Sequence, residues 1–270
     1  MKRFLLPAAA VAVLISMVSM AADTYLLAVK YESGQLLRYK LNAVVDMTIQ
    51  DPDKSTHLKI SVLGTMAGKV QDVASDGSAQ ISAAPEEAAA EIWVDDQHVT
   101  IGPDQIKTIL KDPIRVRVTP AGLVIPVPQD LSGGAGPGEI TLGPFLPREP
   151  VPVGQEWSEE QKLPGSGGYT AKNRLAGVEQ AGGALIARIE QDMTVDLPAP
   201  TPAGAAVDGQ VTVAGSVRSV GTMLLDLNTG RIQQLAELIH GNLNLGTMAE
   251  GTVHEAAVAV EGSLVMTLLE

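Results

Sequence analysis

Apolar and polar residues alternate with period two along most of the chain. From Leu37 to Ile49 the odd positions are Leu37, Tyr39, Leu41, Ala43, Val45, Met47 and Ile49, and nearly all even positions are polar. Alternate side chains of a strand point to opposite faces, so this run predicts a long strand with one face on a core and the other in water. Ile114-Arg115-Val116-Arg117-Val118 repeats the pattern, as does the series Val258, Val260, Gly262, Leu264, Met266, Leu268. Glu91-Ile92-Trp93-Val94 reads as another strand. Ser75-Asp76-Gly77-Ser78, Pro120-Ala121-Gly122, Gln180-Ala181-Gly182-Gly183 and Asn228-Thr229-Gly230 place glycine where tight turns need positive φ. Short spacings between strands and turns predict antiparallel meanders instead of βαβ units.

Helix is scarce. Pro103 to Lys111 carries Ile106, Ile109 and Leu110 at helical spacing and predicts one short amphipathic helix. Pro85 to Ala90 reads as a further turn or two of helix. Ile232 to Ile239 fits a helix as well as a strand. It is read as a strand start, because it follows the Asn228-Thr229-Gly230 turn and leads into alternating Asn242-Leu243-Asn244-Leu245. Gly64-Thr65-Met66-Ala67-Gly68-Lys69-Val70 reads as strand–turn–strand. The expected fold class is mainly β: antiparallel curved sheets or half-barrels in two similar halves, with one or two short helices.

A repeat underlies the two halves. Val70-x-x-Val73-x-x-x-Gly77-x-Ala79-x-Ile81 matches Leu175-x-x-Val178-x-x-x-Gly182-x-Ala184-x-Ile186, and a second turn follows each. Gly122 lies 45 residues after Gly77, and Gly230 lies 48 after Gly182. Between the halves, Leu131 to Gly138 is glycine-rich and Pro144, Pro147, Pro150 and Pro152 impose a stiff, extended path. The expected organisation is a signal segment over 1–21, a first β half over 22–130, a connector over 131–150 and a second β half over 151–270. Pro198 to Gly209 is expected to be a loop.

The N-terminus changes the setting. Lys2 and Arg3 precede an apolar run from Phe4 to Val18, and Ser19-Met20-Ala21-Ala22 supplies small residues at a cleavage position. This layout predicts a signal peptide cleaved after Ala21 and a periplasmic or secreted protein, with contact to a membrane only if cleavage fails. The 270 residues contain no Cys, so lipid attachment at a cysteine, disulfides and thiol chemistry are excluded. Lys and Arg total 19 against 31 Asp and Glu, a net charge of −12. Removing residues 1–21 takes away only Lys2 and Arg3, so the mature chain is more acidic still. Nucleic-acid binding, which needs clustered cations, is not expected.

No pattern of reactive residues stands out, and the chain is expected to be no enzyme, with no cofactor and no metal. The Gly64–Lys69 stretch has one residue too few between its glycines for a phosphate loop, and Val70 replaces the Ser/Thr that would meet magnesium. Asp51-Pro52-Asp53 opens like a calcium loop but has Thr56 and Val62 where Gly and Glu are needed. His57, His98, His240 and His254 are scattered, and no Ser lies in a Gly-x-Ser-x-Gly elbow. Aromatics make up 3% of the chain, which argues against sugar or single-strand platforms and makes any groove aliphatic. Trp157, closing Pro150-Val-Pro-Val-Gly-Gln-Glu-Trp157, is expected to anchor the connector or wall a ligand groove. Trp93 and Tyr39 are expected to pack in the interior or line the same groove.

Tyr31-x-x-Gly34-x-x-Leu37-Arg38-Tyr39-x-Leu41, Pro150-Val151-x-Val153-Gly154-x-x-Trp157 and Asp226-x-x-x-Gly230-x-Ile232 together resemble a family of exported bacterial β-rich proteins whose function is not assigned. That resemblance implies a signal peptide and a β-rich fold, and it brings no catalytic residues. In architecture the chain is more distantly similar to envelope lipoprotein carriers, whose curved sheets hold acyl chains. Two functions follow as expectations. One is a binder or carrier of a lipid or other hydrophobic small molecule; the other is a structural or interaction protein with an envelope-protein partner.

Overall fold

The computed structural model describes residues 23–110, 112–126, 145–162, 167–197, 211–249 and 252–269. The expected signal segment, most of the connector and the expected loop after Pro198 lie outside these residues. The elements in chain order are β1 (Thr24–Tyr25), β2 (Leu36–Asp51), β3 (Lys54–Val73), β4 (Ala79–Val94), β5 (Gln97–Ile101), α1 (Pro103–Ile109), β6 (Ile114–Val118) and β7 (Val124–Pro126). There follow β8 (Val151–Pro152), β9 (Glu156–Lys162), β10 (Gly168–Ala181), β11 (Ala184–Leu197), β12 (Val211–Asp226), β13 (Arg231–Ala249) and β14 (Thr252–Leu269). The fold is mainly β with antiparallel pairing throughout, as the alternation and turn residues require.

Twelve strands form one sheet in the order β7-β6-β4-β3-β2-β14-β13-β12-β11-β10-β9, with β5 paired to β4. Both halves therefore share a single sheet, and β14 joins them by pairing β13 on one side and β2 on the other. The sheet curls without closing into a barrel. Leu123, at the β6–β7 turn, packs against Phe145, Tyr169 and Ala171, so the two ends of the strand order approach each other. The segment from Phe145 fills the seam there, with the Leu146 N–H donating to the Ala121 carbonyl at 2.8 Å.

The two larger core clusters occupy one end of the inward face, and the Phe145–Tyr169–Ala171 cluster lies further along it. Leu27 and Val29, on the extended segment before β2, pack with Leu175, Ala187, Ile189, Met223 and Leu225. A second cluster joins Leu37, Val70, Ala79, Ile81 and Val118, and Tyr31 packs against both. Backbone bonds fix the segment: Val29 N–H donates to the Pro120 carbonyl at 2.9 Å and Lys30 N–H to the Gly230 carbonyl at 3.0 Å. Asp226, buried, holds the Gly230 turn by accepting from the Asn228 N–H at 2.8 Å and the Thr229 hydroxyl at 2.8 Å.

The repeat has a structural counterpart. Gly34 N–H donates to the Val70 carbonyl and Val70 N–H to the Gln35 carbonyl; Gly154, Leu175 and Gln155 make the same pair of bonds. Both hairpins shift register at the same point, after Val70 and after Leu175. Beyond it Val73 pairs Ala79, whereas Val178 pairs Ala187, so the second hairpin is longer by three residues. That insertion accounts for the difference between the 45- and 48-residue glycine spacings.

Four local readings are settled differently or resolved. Pro85 to Ala90 is strand, not helix: Met66 pairs Pro85 and Thr65 pairs Glu87, leaving Glu86 as a bulge whose carboxylate meets Arg38 at 2.6 Å. A bulge accommodates a proline inside a sheet, because no ladder bond is demanded there. Gly64 to Val70 runs through β3 without a turn. Gly64 is required because a Cβ would lie 2.5 Å from the Glu87 carbonyl oxygen. Ile232 to Ile239 is strand, within β13. Trp93 is not interior; it lies on the outward face of β4, stacked on His98 at 4.8 Å, with the Lys59 ammonium 5.5 Å from its ring centre.

Candidate functional site

Register assigns each inward side chain to a row crossing the strands. One row runs Val94, Leu58, Met47, Val260, Gly241, Val217, Val195 and Tyr169. The next runs Ile92, Ile60, Val45, Gly262, Ile239, Ser219, Met193 and Ala171. The third runs Ala90, Val62, Ala43, Leu264, Glu237, Gly221, Gln191, Asn173 and Trp157. From β4 to β14 every member of these rows is aliphatic or glycine. These aliphatic positions are half-buried for the most part, and Val94 is 40% exposed. Beside their hydrogen-bonded neighbour strands, the main element in contact with these strands is α1, which packs against β4. Among the described residues the inward face is filled at the end held by residues 23–32 and, on the β10–β11 side, around Phe145, and it is half-exposed along the aliphatic rows from β4 to β14.

Within these three rows, polar side chains enter only in the second half. Asn173 is 3% exposed, and its Oδ1 accepts from Gln191 Nε2 at 3.4 Å. Asn173 Nδ2 and Gln191 Oε1 are buried with no partner among the described residues. Glu237 faces them across Gly221, which cannot carry a side chain because a Cβ would collide with the Ala236 carbonyl oxygen. Burial pushes the Glu237 carboxyl above the ordinary glutamate range, against a lowering hydrogen bond from Ser219. Burial, with the nearby Glu237 and Glu159 charges, also pushes the Tyr169 phenol up.

Trp157 and Tyr39 both sit on this face. Trp157 packs against the larger core cluster and donates its indole N–H to the Phe145 carbonyl at 2.7 Å, so it ties the connector's end to β9. Tyr39 packs against the Leu37–Val70 cluster, and burial pushes its phenol up to about 12, slightly opposed by Arg231. Trp93 is on the other face and joins neither. Asn173, Gln191 and Glu237 escaped the sequence reading. Their signal is a polar residue interrupting an apolar alternation, as in Leu235, Glu237, Ile239, and it is legible only once the strands are known.

The outward face carries a trough of about 920 Å3 from β9 to β14. One wall is Glu156, Arg174, Glu190, Thr222, Ala236 and Val265; the other is Ser158, Lys172, Asp192, Val220, Leu238 and Ser263; between them runs the line of Trp157, Asn173, Gln191, Gly221 and Glu237, whose side chains alternate to the inward face. Its β9–β11 end is charged and its β12–β14 end largely apolar. Arg218 clamps Asp192 through two bonds of 2.6 and 2.8 Å, which holds that carboxyl below the usual range. Arg174 lies 3.8 Å from Glu190. The cations here are matched by acids, so the trough is no anion site. Among the described residues no three His, Asp or Glu side chains converge as metal ligands would. No helix among them is long and apolar enough to cross a membrane, which says nothing of crossing by strands.

No protein-family model matches the chain, and no curated protein does. Among solved structures, a lipovitellin chain, described under lipid–protein interactions in lipovitellin, is similar with a TM-score of 0.46 and 11% identity. The match covers 89% of this chain and 26% of that one, so this chain spans about a quarter of its neighbour's length.

Proposed function

We propose that the chain is an exported, non-catalytic binder of a lipid or similar hydrophobic molecule, held along the open aliphatic rows of the inward face. The observation that carries this reading is the continuity of those rows, from Val94 and Ile92 across β3, β2 and β14 to Ile239 and Val217. A face of this extent left half-exposed is costly in water, at about 25 cal/mol per Å2 of apolar surface, and acyl chains are suited to cover it. Aliphatic walls match flexible chains better than flat rings. The N-terminal charge, apolar run and small residues support the exported part of this reading, with the periplasm or the cell exterior as its compartment.

Native mass spectrometry with lipid extraction, on protein purified from its own envelope, tests the reading. A co-purifying lipid is expected, together with binding of the fluorescent probe N-phenyl-1-naphthylamine. Ile60→Asp should weaken probe binding by about tenfold or more, since a carboxylate then meets the apolar probe. Leu238→Gln, on the outward trough, should leave it unchanged. Absence of any lipid and of probe binding would sink the proposal.

The trough favours a second reading, an interaction protein of the envelope, because Val220 and Leu238 are 41% and 57% exposed in it. That reading predicts the reverse result, an effect of Leu238→Gln on assembly and none of Ile60→Asp on any ligand.

A further inference from the structure

We infer that the Asn173–Gln191–Glu237 row recognises the head of the bound molecule, and that this head is an uncharged group offering one hydrogen-bond acceptor and one donor, such as a hydroxyl or a primary amide. The inference rests on the reading of the inward face as a lipid site and names the class of head it takes.

Neighbouring residues of the row hold one buried donor and one buried acceptor that have no partner among the described residues: Asn173 Nδ2 and Gln191 Oε1. Leaving such groups unpaired costs about 1–3 kcal/mol each, so a fully folded resting state does not explain them. The one bond joining the two amides is 3.4 Å, at the limit of a hydrogen bond, so little holds the Gln191 amide against its neighbour. Rotation of that amide opens Asn173, which is otherwise 97% covered by its surroundings, to a group arriving along the row. A hydroxyl there accepts from Asn173 Nδ2 and donates to Gln191 Oε1, satisfying both.

Charge decides against the common alternatives. None of the inward rows from the level of Leu41 to that of Ile49 contains Lys or Arg, while Glu237 and Glu159 are both inward. Lys172 and Arg174, one residue either side of Asn173, alternate to the opposite face of β10. A phosphate or carboxylate head therefore meets acids and no counter-charge. On the aliphatic side, Leu264, Ala43, Val62 and Ala90 continue the same row, so a chain attached to the head has an apolar track directly beside it.

Displacement of N-phenyl-1-naphthylamine by four ligands with the same decyl tail tests the inference on the purified chain. Decanol and undecanamide should displace it at about tenfold lower concentration than decyl methyl ether, which accepts but cannot donate. Decyl phosphate should be weaker still. Gln191→Met, close in size, should remove the advantage of decanol over the ether, each displacement being scaled to the variant's own affinity for the probe. Asn173→Leu should do the same if a thermal melt shows it folded. Equal or tighter binding of the phosphate, or an advantage that survives Gln191→Met, would overturn head recognition. If all four ligands bind alike, only the head assignment falls; if none binds, the lipid reading falls with it.

Discussion

Glu237 shows how one residue reports the character of the inward face. Burial raises its carboxyl pKa above the ordinary value, so the folded protein binds a proton that the unfolded chain releases. The sign follows. Below the ordinary glutamate range, near pH 4.3, both states are protonated and nothing is lost; as pH rises through that range and up to the folded value, stability falls. Glu237→Gln should therefore match the parent in urea denaturation at low pH and exceed it at neutral pH. Asp192 has the opposite sign, because Arg218 lowers its pKa and the resulting support disappears on acidification. Being largely exposed, that pair contributes little. Fluorescence-monitored urea titrations between pH 3 and 8 would separate the two, and a variant weaker than the parent at pH 7 would contradict the burial argument.

Among the elements, the paired Gly34 and Gly154 turns are the clearest expression of the repeat. Their φ angles are 80° and 89°, and a Cβ on either would meet nothing within 4 Å. Substitution costs only the strain of a left-handed conformation, about 1 kcal/mol. Gly34→Ala and Gly154→Ala should thus lower stability by similar amounts. Gly230→Ala should cost more, because its Cβ would lie 2.7 Å from the Lys30 side chain. Thermal melts of the three variants check the ranking.

Much of this level was legible in the sequence. The alternation from Leu37 to Ile49 gave β2 its inward face, and the four glycine turns lie where the pattern put them. Bulges were not legible. Glu86 leaves the ladder because of how β3 passes β4, and neither Pro85 nor its neighbours announce that pairing. Trp93 failed for a related reason: the same bulge reverses which positions of β4 face inward, and no composition rule reveals a reversal. The polar row was hidden as well, since Asn173, Gln191 and Glu237 come together only through three strand registers.

At the scale of the molecule, the last strand is the keystone of the sheet. β14 is the sole described link between β2 and β13, and without it the order falls into two separate sheets. A chain ending before Thr252 should lose the single cooperative melt of the parent and show two weaker transitions, or none, by calorimetry. Hydrogen exchange should be fast in β2 and β13 of that chain, each of which becomes an edge. One sharp transition at the parent temperature would show that the halves are held together by the core clusters alone.

The placement of residues 23–32 has a consequence for how the protein comes into being. Val29 is bonded to a carbonyl at Pro120 and Lys30 to one at Gly230, so the earliest part of the described chain docks on turns made much later. β2 likewise waits for β14. Contacts that span nearly the whole sequence close loops of great length, which slows folding and keeps partly made intermediates exposed. On the proposed export reading, a chain threaded through a membrane from its N-terminus cannot finish the centre of this sheet until β14 has emerged, and its aliphatic rows stay uncovered until then. Protection of those rows by another protein during that interval would be a demand of topology, set by which strand comes last.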